Sequence, residues 1–279
     1  MLTKEKAAEL DGQARKTRIL VLRMLNAIGA GHLGGSLSVV EALTLLYFHR
    51  MNVRPAEPRW PDRDRFVMSK GHAGPALYAT LAHKGYFPAD ECLTLNQPGT
   101  NFPSHCDMNK TLGVDMTAGS LGQGLSAAVG MALAGRLDGK DYRVYCLIGD
   151  GEAQEGQIWE ALMYASQQKL DNLTVFIDYN KLQLDGPLSE INSLEPLAAK
   201  TEAFGFFTQS IDGHDFFAID QAVEAALKTA GRPSLIILNT IKAKGACFAE
   251  GQVSSHHQAV SDDDLKSALA ELDAKGGSN

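Results

Sequence analysis

The chain has 279 residues, of which 44% are hydrophobic and 21% charged, and this composition is typical of a globular protein with a sizeable core. Its formal net charge of -7 argues against nucleic-acid or membrane partners held by bulk electrostatics, because such binding needs a basic face. The N-terminus shows no signal-peptide pattern and no apolar run reaches membrane-spanning length, so we expect neither feature. Four widely spaced cysteines without a CxxC pair indicate reduced thiols and a cytoplasmic protein.

The first part of the chain predicts helices separated by glycine-rich and irregular segments. Apolar residues at three- and four-residue intervals predict an amphipathic helix over residues 5–28 that ends at Gly29. The loop GAGHLGGS follows, and VVEALTLLYFHRM is again helical, with Ser36 or Ser38 available as its N-cap. RFVMS is a short strand, KGHAG a turn, and PALYATLAHKG a helix with a proline in its first turn. Residues 95–118 show no periodicity, which indicates a functional loop.

From residue 119 onward, helices and strands alternate regularly. The helices are predicted in SLGQGLSAAVGMALAGRL, EGQIWEALMYASQQKL, PLAAKTEAF and FFAIDQAVEAALKTA, and the strands in YRVYCLIG, NLTVFIDY, GFFTQSI and PSLIILNTI. Near-continuous apolar strands separated by helices predict an α/β fold, a doubly wound parallel sheet with helices on both faces. We expect a single domain over residues 1–279, with an N-terminal helix over 1–30 and a short C-terminal helix and tail over 262–279. The terminal KGGSN is a candidate for disorder.

Polar residues that follow two of these strands form the most informative pattern. In a doubly wound sheet, ligands bind outside the carboxyl ends of the strands. Asp150 lies between two glycines after YRVYCLI, before a helix whose unpaired N–H groups suit a phosphate. Asn180 follows the next strand, and if the two strands are neighbours, both side chains reach one hard cation. This outlines a metal and diphosphate site, although GDG alone would equally fit a plain turn.

Segments along nearly the whole chain resemble the transketolase family. GDGEAQEGQIWEALMYASQQKLDNLTVFIDYNKLQLDG is similar to the thiamine diphosphate signature in its transketolase form. GHLGGSLS, RFVMSKGHAGPALY, NFPSHCD, GSLGQGLSAAVGMA, TIKAKG and SSHHQAV resemble other transketolase segments in order and spacing. The similarity spans residues 10–265 and implies the thiamine diphosphate-binding fold, in the form of its diphosphate-type domain.

The resemblance implies a cofactor and its ligands. Thiamine diphosphate is the implied cofactor, held with Mg²⁺, and Ca²⁺ is the alternative metal. The implied metal ligands are Asp150, Asn180 and the backbone carbonyl of Leu182. The implied cofactor contacts are His72, Gly119, Leu121, Gly151, Glu155, Asn180, Leu184 and His256. The implied catalytic residues are His32, His105 and His256.

Four of these residues match positions near the cofactor rings or a subunit interface. Gly119 and Leu121 match positions against the pyrimidine and between the two rings of the cofactor. Leu184 matches an apolar contact to the thiazolium ring. Glu155 resembles a glutamate that joins an acidic network across the dimer interface of transketolases.

The implied histidine roles differ along the cofactor. His32 and His105 match residues of the substrate channel near the reactive thiazolium carbon, whereas His72 and His256 match residues that bind diphosphate oxygens. The last motif usually reads WHG in the family, so His257 is an alternative to His256. Three departures from the family pattern are Leu33, where a proline is common, and Ser104 and Cys106, which replace a glycine and a proline. We expect three other histidines to be solvated at the surface: His49, His83 and His214.

The resemblance also implies a second chain. In transketolases the glutamate that activates the cofactor comes from a second domain, and we expect this chain to end after the first. The expected partner is a C-terminal transketolase subunit with the pyrimidine-binding and C-terminal domains, in an α2β2 assembly. The implied reaction transfers a two-carbon ketol unit between sugars or sugar phosphates. The alternatives are an α-type subunit of a 2-oxo acid dehydrogenase and a non-catalytic cofactor-binding module.

Overall fold

The computed structural model describes residues 2–276 of the chain, with side chains as far as residue 274. The helices are α1 (Lys4–Ile28), α2 (Leu33–Leu37), α3 (Val40–Leu45), α4 (Gly74–Lys84), α5 (Gln123–Leu137), α6 (Gly156–Gln167), α7 (Leu188–Ile191), α8 (Leu197–Ala203), α9 (Phe216–Lys228) and α10 (Asp262–Gly276). The strands are β1 (Ala30–Gly31), β2 (Arg65–Met68), β3 (Val144–Gly149), β4 (Leu173–Tyr179), β5 (Phe207–Asp212), β6 (Ser234–Asn239) and β7 (Gln258–Ala259). Of the predicted disordered segment KGGSN, residues 277–279 lie outside the described part.

Five strands form the central sheet, which is parallel throughout. Their order is β2-β3-β4-β6-β5. In the pairing of β3 with β4, Gly149 lies opposite Asp178, so these two strands end side by side at one edge of the sheet. The predicted doubly wound parallel sheet is confirmed.

Helices cover both faces of this sheet and form two cores. Successive strand side chains point to opposite faces. Tyr145 and Leu147 of β3 pack into the core formed with α1, α3, α4 and α9, whereas Val144 and Cys146 pack into the core formed with α5, α6 and α8. All six residues of β3 are buried. Because both faces are covered, the inner strands show no polar alternation, which explains their near-continuous apolar sequences.

The segment after α1 differs from the prediction. Part of the predicted loop is helical, as α2, and a π-helical turn over Leu46–Arg50 follows α3. Neither serine acts as an N-cap, and that prediction is wrong. Ser36 Oγ donates to the carbonyl of His32 at 2.7 Å, and Ser38 Oγ donates to Asp178 Oδ2 at 2.6 Å. Ser38 is fully buried, so its hydroxyl bonds to a distant carboxylate instead of a nearby helix end.

A small antiparallel pair of strands, which the sequence pattern does not predict, joins residues 30–31 to residues 258–259. Gly31 of β1 pairs with Gln258 of β7. Strands of two residues carry no readable periodicity, so only the tertiary structure shows this pairing. It brings the loop after α1 beside the segment that contains the two adjacent histidines of SSHHQAV.

The cysteines and the long helices add two observations. All four cysteines are free thiols, and only Cys247 is exposed. Between residues 2 and 276, no helix combines the length and the apolar character that crossing a bilayer requires.

Candidate functional site

Asp150 lies in the turn after β3, where backbone N–H groups hold its carboxylate. Oδ1 accepts from the N–H of Gly151 at 2.8 Å, and Oδ2 accepts from the N–H of Lys181 at 2.5 Å. Asp150 is only 3% exposed. Burial, together with the neighbouring Asp178 carboxylate, raises the pKa of Asp150 to about 7. A cation at this position would favour the charged carboxylate, so the environment of Asp150 suits a cation site.

Asn180 follows β4 and lies at the same edge of the sheet. Its Nδ2 donates to Asp178 Oδ2 at 3.0 Å, and its Oδ1 accepts from the N–H of Leu182 at 3.1 Å. Because β3 and β4 are neighbours, Asp150 and Asn180 end adjacent strands, as the sequence predicts. Lys181 adopts a φ of 66°, which is uncommon for a residue with a side chain, and its N–H bonds to Asp150.

A cavity of about 290 Å³ opens at these strand ends. Its lining includes Asp150, Asn180, Leu182, Lys242 and His256. Lys242 Nζ donates to the carbonyl oxygen of Leu182 at 3.0 Å, and burial lowers the pKa of Lys242 to about 8. Hard oxygen donors beside an ammonium group suit an anionic ligand that arrives with a divalent cation.

Five histidine rings form a cluster beside the cavity. His32 lies between the others, with its ring centroid 5.2 Å from that of His72, 5.4 Å from His105, 5.7 Å from His256 and 4.9 Å from His257. The rings of His72 and His256 are 5.2 Å apart. His72 and His256 line the cavity, whereas His257 is not among the lining residues. The structure thus brings together all four histidines of the predicted site and the alternative His257.

Burial favours the neutral form of four of these rings, those of His32, His72, His105 and His256. It lowers the pKa of His32 and of His256 to about 4, with further contributions from neighbouring histidines and, for His256, first from Lys242 and Lys70. Burial also lowers the pKa of His105, and burial together with Lys70 lowers the pKa of His72 well below its ordinary value. A neutral imidazole carries one donor and one acceptor nitrogen, so these rings can both donate to hydroxyl groups and accept protons.

Direct backbone contacts hold the histidine loops together. Cys106 N–H donates to the carbonyl of Gly71 at 3.3 Å, and Ala118 N–H donates to the carbonyl of Cys106 at 3.0 Å. A Cβ at Gly71 would lie 1.8 Å from the carbonyl oxygen of Ala118, so only glycine permits this approach. His72 and His105 are therefore carried by loops whose backbones are bonded to each other.

Three of the remaining predicted residues line the mouth of the cavity, and Gly119 is not among the lining residues. Leu121 is 38% exposed and Leu184 is 61% exposed, and both line the cavity. Glu155 also lines it and is exposed at the start of α6. Gly119 is exposed, and a Cβ there would meet no atom within 4 Å. Large apolar side chains exposed at a cavity mouth are typical of ligand-binding or protein-binding surfaces.

A buried ion pair in the cavity wall, between Lys70 and Asp178, is not among the residues predicted from the sequence. Lys70 Nζ donates to Asp178 Oδ2 and to the carbonyl of Gly35, both at 2.6 Å. Lys70 is 2% exposed and Asp178 is fully buried. Asp178 also accepts from the hydroxyls of Ser38 and Thr240. An available signal was the position of Asp178 inside an otherwise apolar strand, because a buried carboxylate must be paired.

The expectation that His214 is a solvated surface residue is wrong. Its side chain is 13% exposed, and its Nδ1 lies 3.1 Å from Glu41 Oε2. Its Nε2 accepts from the N–H of Ile241 at 2.8 Å, so the proton of a neutral ring lies on Nδ1 and bonds to Glu41. Glu41 is also bonded to Arg18. His49 is likewise paired, with Asp220 at 3.3 Å, and His83 has a buried Nε2.

Comparison with known proteins identifies the family. The family model described as "Transketolase, thiamine diphosphate binding domain" matches residues 11–276. The chain belongs to the transketolase family. It is 55% identical over 98% of its length to the 6-deoxy-6-sulfo-D-fructose transketolase subunit SqwG of Clostridium sp. (strain MSTE9), of which it covers 99%. It is 40% identical over 95% of both chains to an apulose-4-phosphate transketolase subunit of Actinobacillus succinogenes.

Solved transketolase structures share the fold. The transketolase of Campylobacter jejuni superposes with a TM-score of 0.89 at 34% identity, over 95% of this chain and 42% of that one. A transketolase of Pichia stipitis in complex with sedoheptulose 7-phosphate superposes with a TM-score of 0.91 at 30% identity, over 98% of this chain and 41% of that one. The chain therefore spans about two fifths of the length of these transketolases and carries their thiamine diphosphate-binding domain.

Proposed function

We propose that this chain is the diphosphate- and metal-binding subunit of a two-chain transketolase that transfers a two-carbon ketol unit from a ketose to an aldose. The observation that carries the proposal is that Asp150 and Asn180 line one cavity together with His72 and His256, which belong to the histidine cluster beside it. The close relatives of matching length are named transketolase subunits, which supports the two-chain organisation. We take the whole chain as one cofactor-binding domain.

The cavity fits a diphosphate with a divalent metal. Asp150, Asn180 and the carbonyl of Leu182 are hard oxygen donors in one lining. Burial and the Asp178 carboxylate raise the pKa of Asp150 to about 7, and a bound cation would favour its charged form. These three would hold the metal, which we propose to be Mg²⁺, with Ca²⁺ as the alternative. The N–H of Gly151 and the ammonium of Lys242 would bind diphosphate oxygens.

The histidines of the cluster would bind the diphosphate and the sugar. His72 and His256 line the cavity and would bind diphosphate oxygens, while His32 and His105 lie farther along the cluster and would bind donor hydroxyls. When bound, thiamine diphosphate supplies the nucleophilic carbon that cleavage between C2 and C3 of a ketose requires. His256, a neutral imidazole near both groups, would take up or release the proton of a sugar hydroxyl.

A separate subunit would complete the site. Leu121 and Leu184 expose apolar surface at the cavity mouth, and we propose that they lie between the cofactor rings and against the thiazolium, with Gly119 next to the pyrimidine. Helix α6, whose N-cap Glu155 lines the cavity, exposes Met163 at 60% and Tyr164 at 48%. Such surface favours a partner chain. We propose a C-terminal transketolase subunit in an α2β2 assembly, with Glu155 at the interface.

The proposed donor is 6-deoxy-6-sulfo-D-fructose. The support is the 55% identity over nearly the full length of both chains to a subunit named for this sugar. Removal of C1 and C2 from this ketose would leave a four-carbon aldose that retains the sulfonate. Apulose 4-phosphate, named for relatives at about 40% identity, is the second candidate.

The experiment is purification of the tagged chain from its own host with Mg²⁺ and thiamine diphosphate, followed by native mass spectrometry and a donor screen. We expect a complex that contains a second chain and the cofactor. With an aldose acceptor, this complex should convert 6-deoxy-6-sulfo-D-fructose to the four-carbon sulfonated aldose faster than it cleaves fructose 6-phosphate or apulose 4-phosphate.

The outcomes separate the parts of the proposal. A complex that prefers apulose 4-phosphate or fructose 6-phosphate overturns the sulfonated donor and leaves the ketol transfer in place. A homo-oligomer that binds no cofactor overturns the two-chain enzyme and supports a non-catalytic module. A complex that decarboxylates 2-oxo acids and leaves every ketose untouched overturns the transketolase reaction.

A further inference from the structure

Glu152 is a buried carboxylate directly after the glycine-flanked Asp150 turn. It is 2% exposed and lies at the wall of the cavity. It belongs to a short 3₁₀ turn over Glu152–Gln154, between the end of β3 and the start of α6. Burial of a carboxylate is costly unless hydrogen bonds compensate for the lost water, so its partners show what it does.

The carboxylate bonds to three segments of the chain, which are the loop after β2, the loop before α5 and the end of β3. Oε1 accepts from the Ser69 hydroxyl and from the N–H of Gly122 at 2.9 Å, and Oε2 accepts from the N–H of Gly149 at 3.0 Å. Ser69 directly precedes Lys70 in the loop after β2, and Gly122 directly follows Leu121. Each bonded segment therefore also carries residues that line the cavity.

The loop that ends at Gly122 leads directly into α5. Gly122 adopts a φ of 88° and is the N-cap of α5, where no side chain of the cap residue bonds to the helix. The approach to the neighbouring loop is close, since a Cβ at Gly124 would lie 2.5 Å from Ser69 Oγ. The Glu152 bond to Gly122 therefore fixes where this loop stands relative to Ser69.

We propose that Glu152 is a positioning residue that holds the loops at Ser69 and Gly122 against the end of β3 at Gly149, so that Leu121 and Asp150 face the same ligand. This inference rests on the proposed function, because the ligand in question is the cofactor. Glu152 acts through the loops that it holds. Its two oxygens accept all three hydrogen bonds, so each of the three donors has a partner within the protein.

A carboxylate suits this position because all three partners are donors. A glutamine has nearly the same shape, but its NH₂ group would face either the N–H of Gly149 or the pair formed by Ser69 and Gly122. One buried donor would then lose its acceptor. Glu152→Gln therefore changes the hydrogen bonds of the loops with little change in side-chain volume. Ser69→Ala removes one of the three bonds and leaves both backbone bonds in place.

The experiment compares Glu152→Gln and Ser69→Ala with Asp220→Asn in the complex with the partner chain. Asp220 is a matched control, because it is also 2% exposed and accepts from the N–H of Leu2 and from Arg50, away from the cavity. One readout is amide hydrogen exchange of the complex without cofactor. The other is the Kd of thiamine diphosphate at saturating Mg²⁺, measured by calorimetry.

We expect Glu152→Gln to speed exchange in residues 119–124 and 147–152 and to raise the Kd about 10-fold, the size of effect typical of residues that orient ligand-binding groups. Ser69→Ala should raise the Kd by a smaller factor. Asp220→Asn should lower the melting temperature and leave the Kd unchanged. A wild-type Kd for Glu152→Gln overturns the proposal, and so does faster exchange spread evenly over the chain.

The two readouts distinguish this inference from the proposed function. If the wild-type complex binds no thiamine diphosphate, the proposed function fails, while exchange at residues 119–124 still decides whether Glu152 holds that loop. If the wild type binds the cofactor and Glu152→Gln binds it equally well, only the positioning role fails.

Discussion

At the residue scale, the ion pair between Lys70 and Asp178 joins the ends of β2 and β4 in the cavity wall. Both side chains are buried, so neither charge is stabilised by water. We expect Asp178→Asn to lower the free energy of unfolding by about 3–5 kcal/mol, because it leaves the ammonium of Lys70 without its counter-charge. Urea denaturation of the single variant measures this loss.

The double variant Lys70→Met with Asp178→Asn is the control for this pair. It removes both charges, so it should recover part of the stability lost in the single variant. A double variant less stable than Asp178→Asn alone would show that the hydrogen bonds of this region, and not the unpaired charge, set the cost.

The lowered pKa of His32 predicts a pH dependence of stability. Burial, followed by the neighbouring histidines, lowers the pKa of His32 to about 4 in the folded chain, whereas the ordinary value is 6.5. Between these values the unfolded chain binds more protons at this residue, so its contribution to stability falls as the pH falls from 6.5 towards 4. Relative to His32→Gln, the wild type should therefore lose stability over this range. Parallel urea-unfolding profiles of the two proteins across it would contradict the prediction.

At the element scale, the contact between the loop after β2 and residue 118 depends on a glycine. A Cβ at Gly71 would lie 1.8 Å from the carbonyl oxygen of Ala118, so Gly71→Ala must push the two loops apart. We expect a loss of about 1–3 kcal/mol in the free energy of unfolding, the usual cost of overpacking. The shift should also separate His72 from His105 and weaken donor binding.

Gly12→Ala is the matched control for this glycine. Gly12 lies inside α1, and a Cβ there would meet no atom within 4 Å. Alanine favours a helix over glycine, so this variant should gain about 0.5–1 kcal/mol. Both variants are compared by urea denaturation, and equal changes in the two would refute the steric argument for Gly71.

At the scale of the whole molecule, the proposed metal site couples cofactor binding to stability. A ligand at 100 times its Kd stabilises the folded state by about 2.7 kcal/mol. We expect thiamine diphosphate with Mg²⁺ to raise the melting temperature of the complex, and a chelator to remove this gain. Asp150→Ala should show no gain, whereas Glu202→Ala, a change of an exposed carboxylate on α8, should behave as the wild type. A full thermal shift in Asp150→Ala, measured by scanning calorimetry, would contradict the metal assignment.

The sequence by itself determined the sheet and the outline of the site. The strands β3 and β4 could be predicted because both faces of the sheet are buried and their sequences are therefore apolar throughout. Asp150 and Asn180 could be predicted as site residues because they directly follow these two strands. The resemblance to transketolases also indicated the four histidines that the structure brings into one cluster with His257.

Only the tertiary structure decided the partners of the buried polar groups. Ser38 bonds to Asp178 across 140 residues of sequence, Arg50 bonds to Asp220 across 170, and His214 bonds to Glu41 across 173. Local propensity favours Ser38 as a helix cap and His214 as a surface residue, but burial requires each polar atom to find a partner wherever the fold provides one. Such partners depend on which elements become neighbours, and helix and strand periodicity carries no information about that.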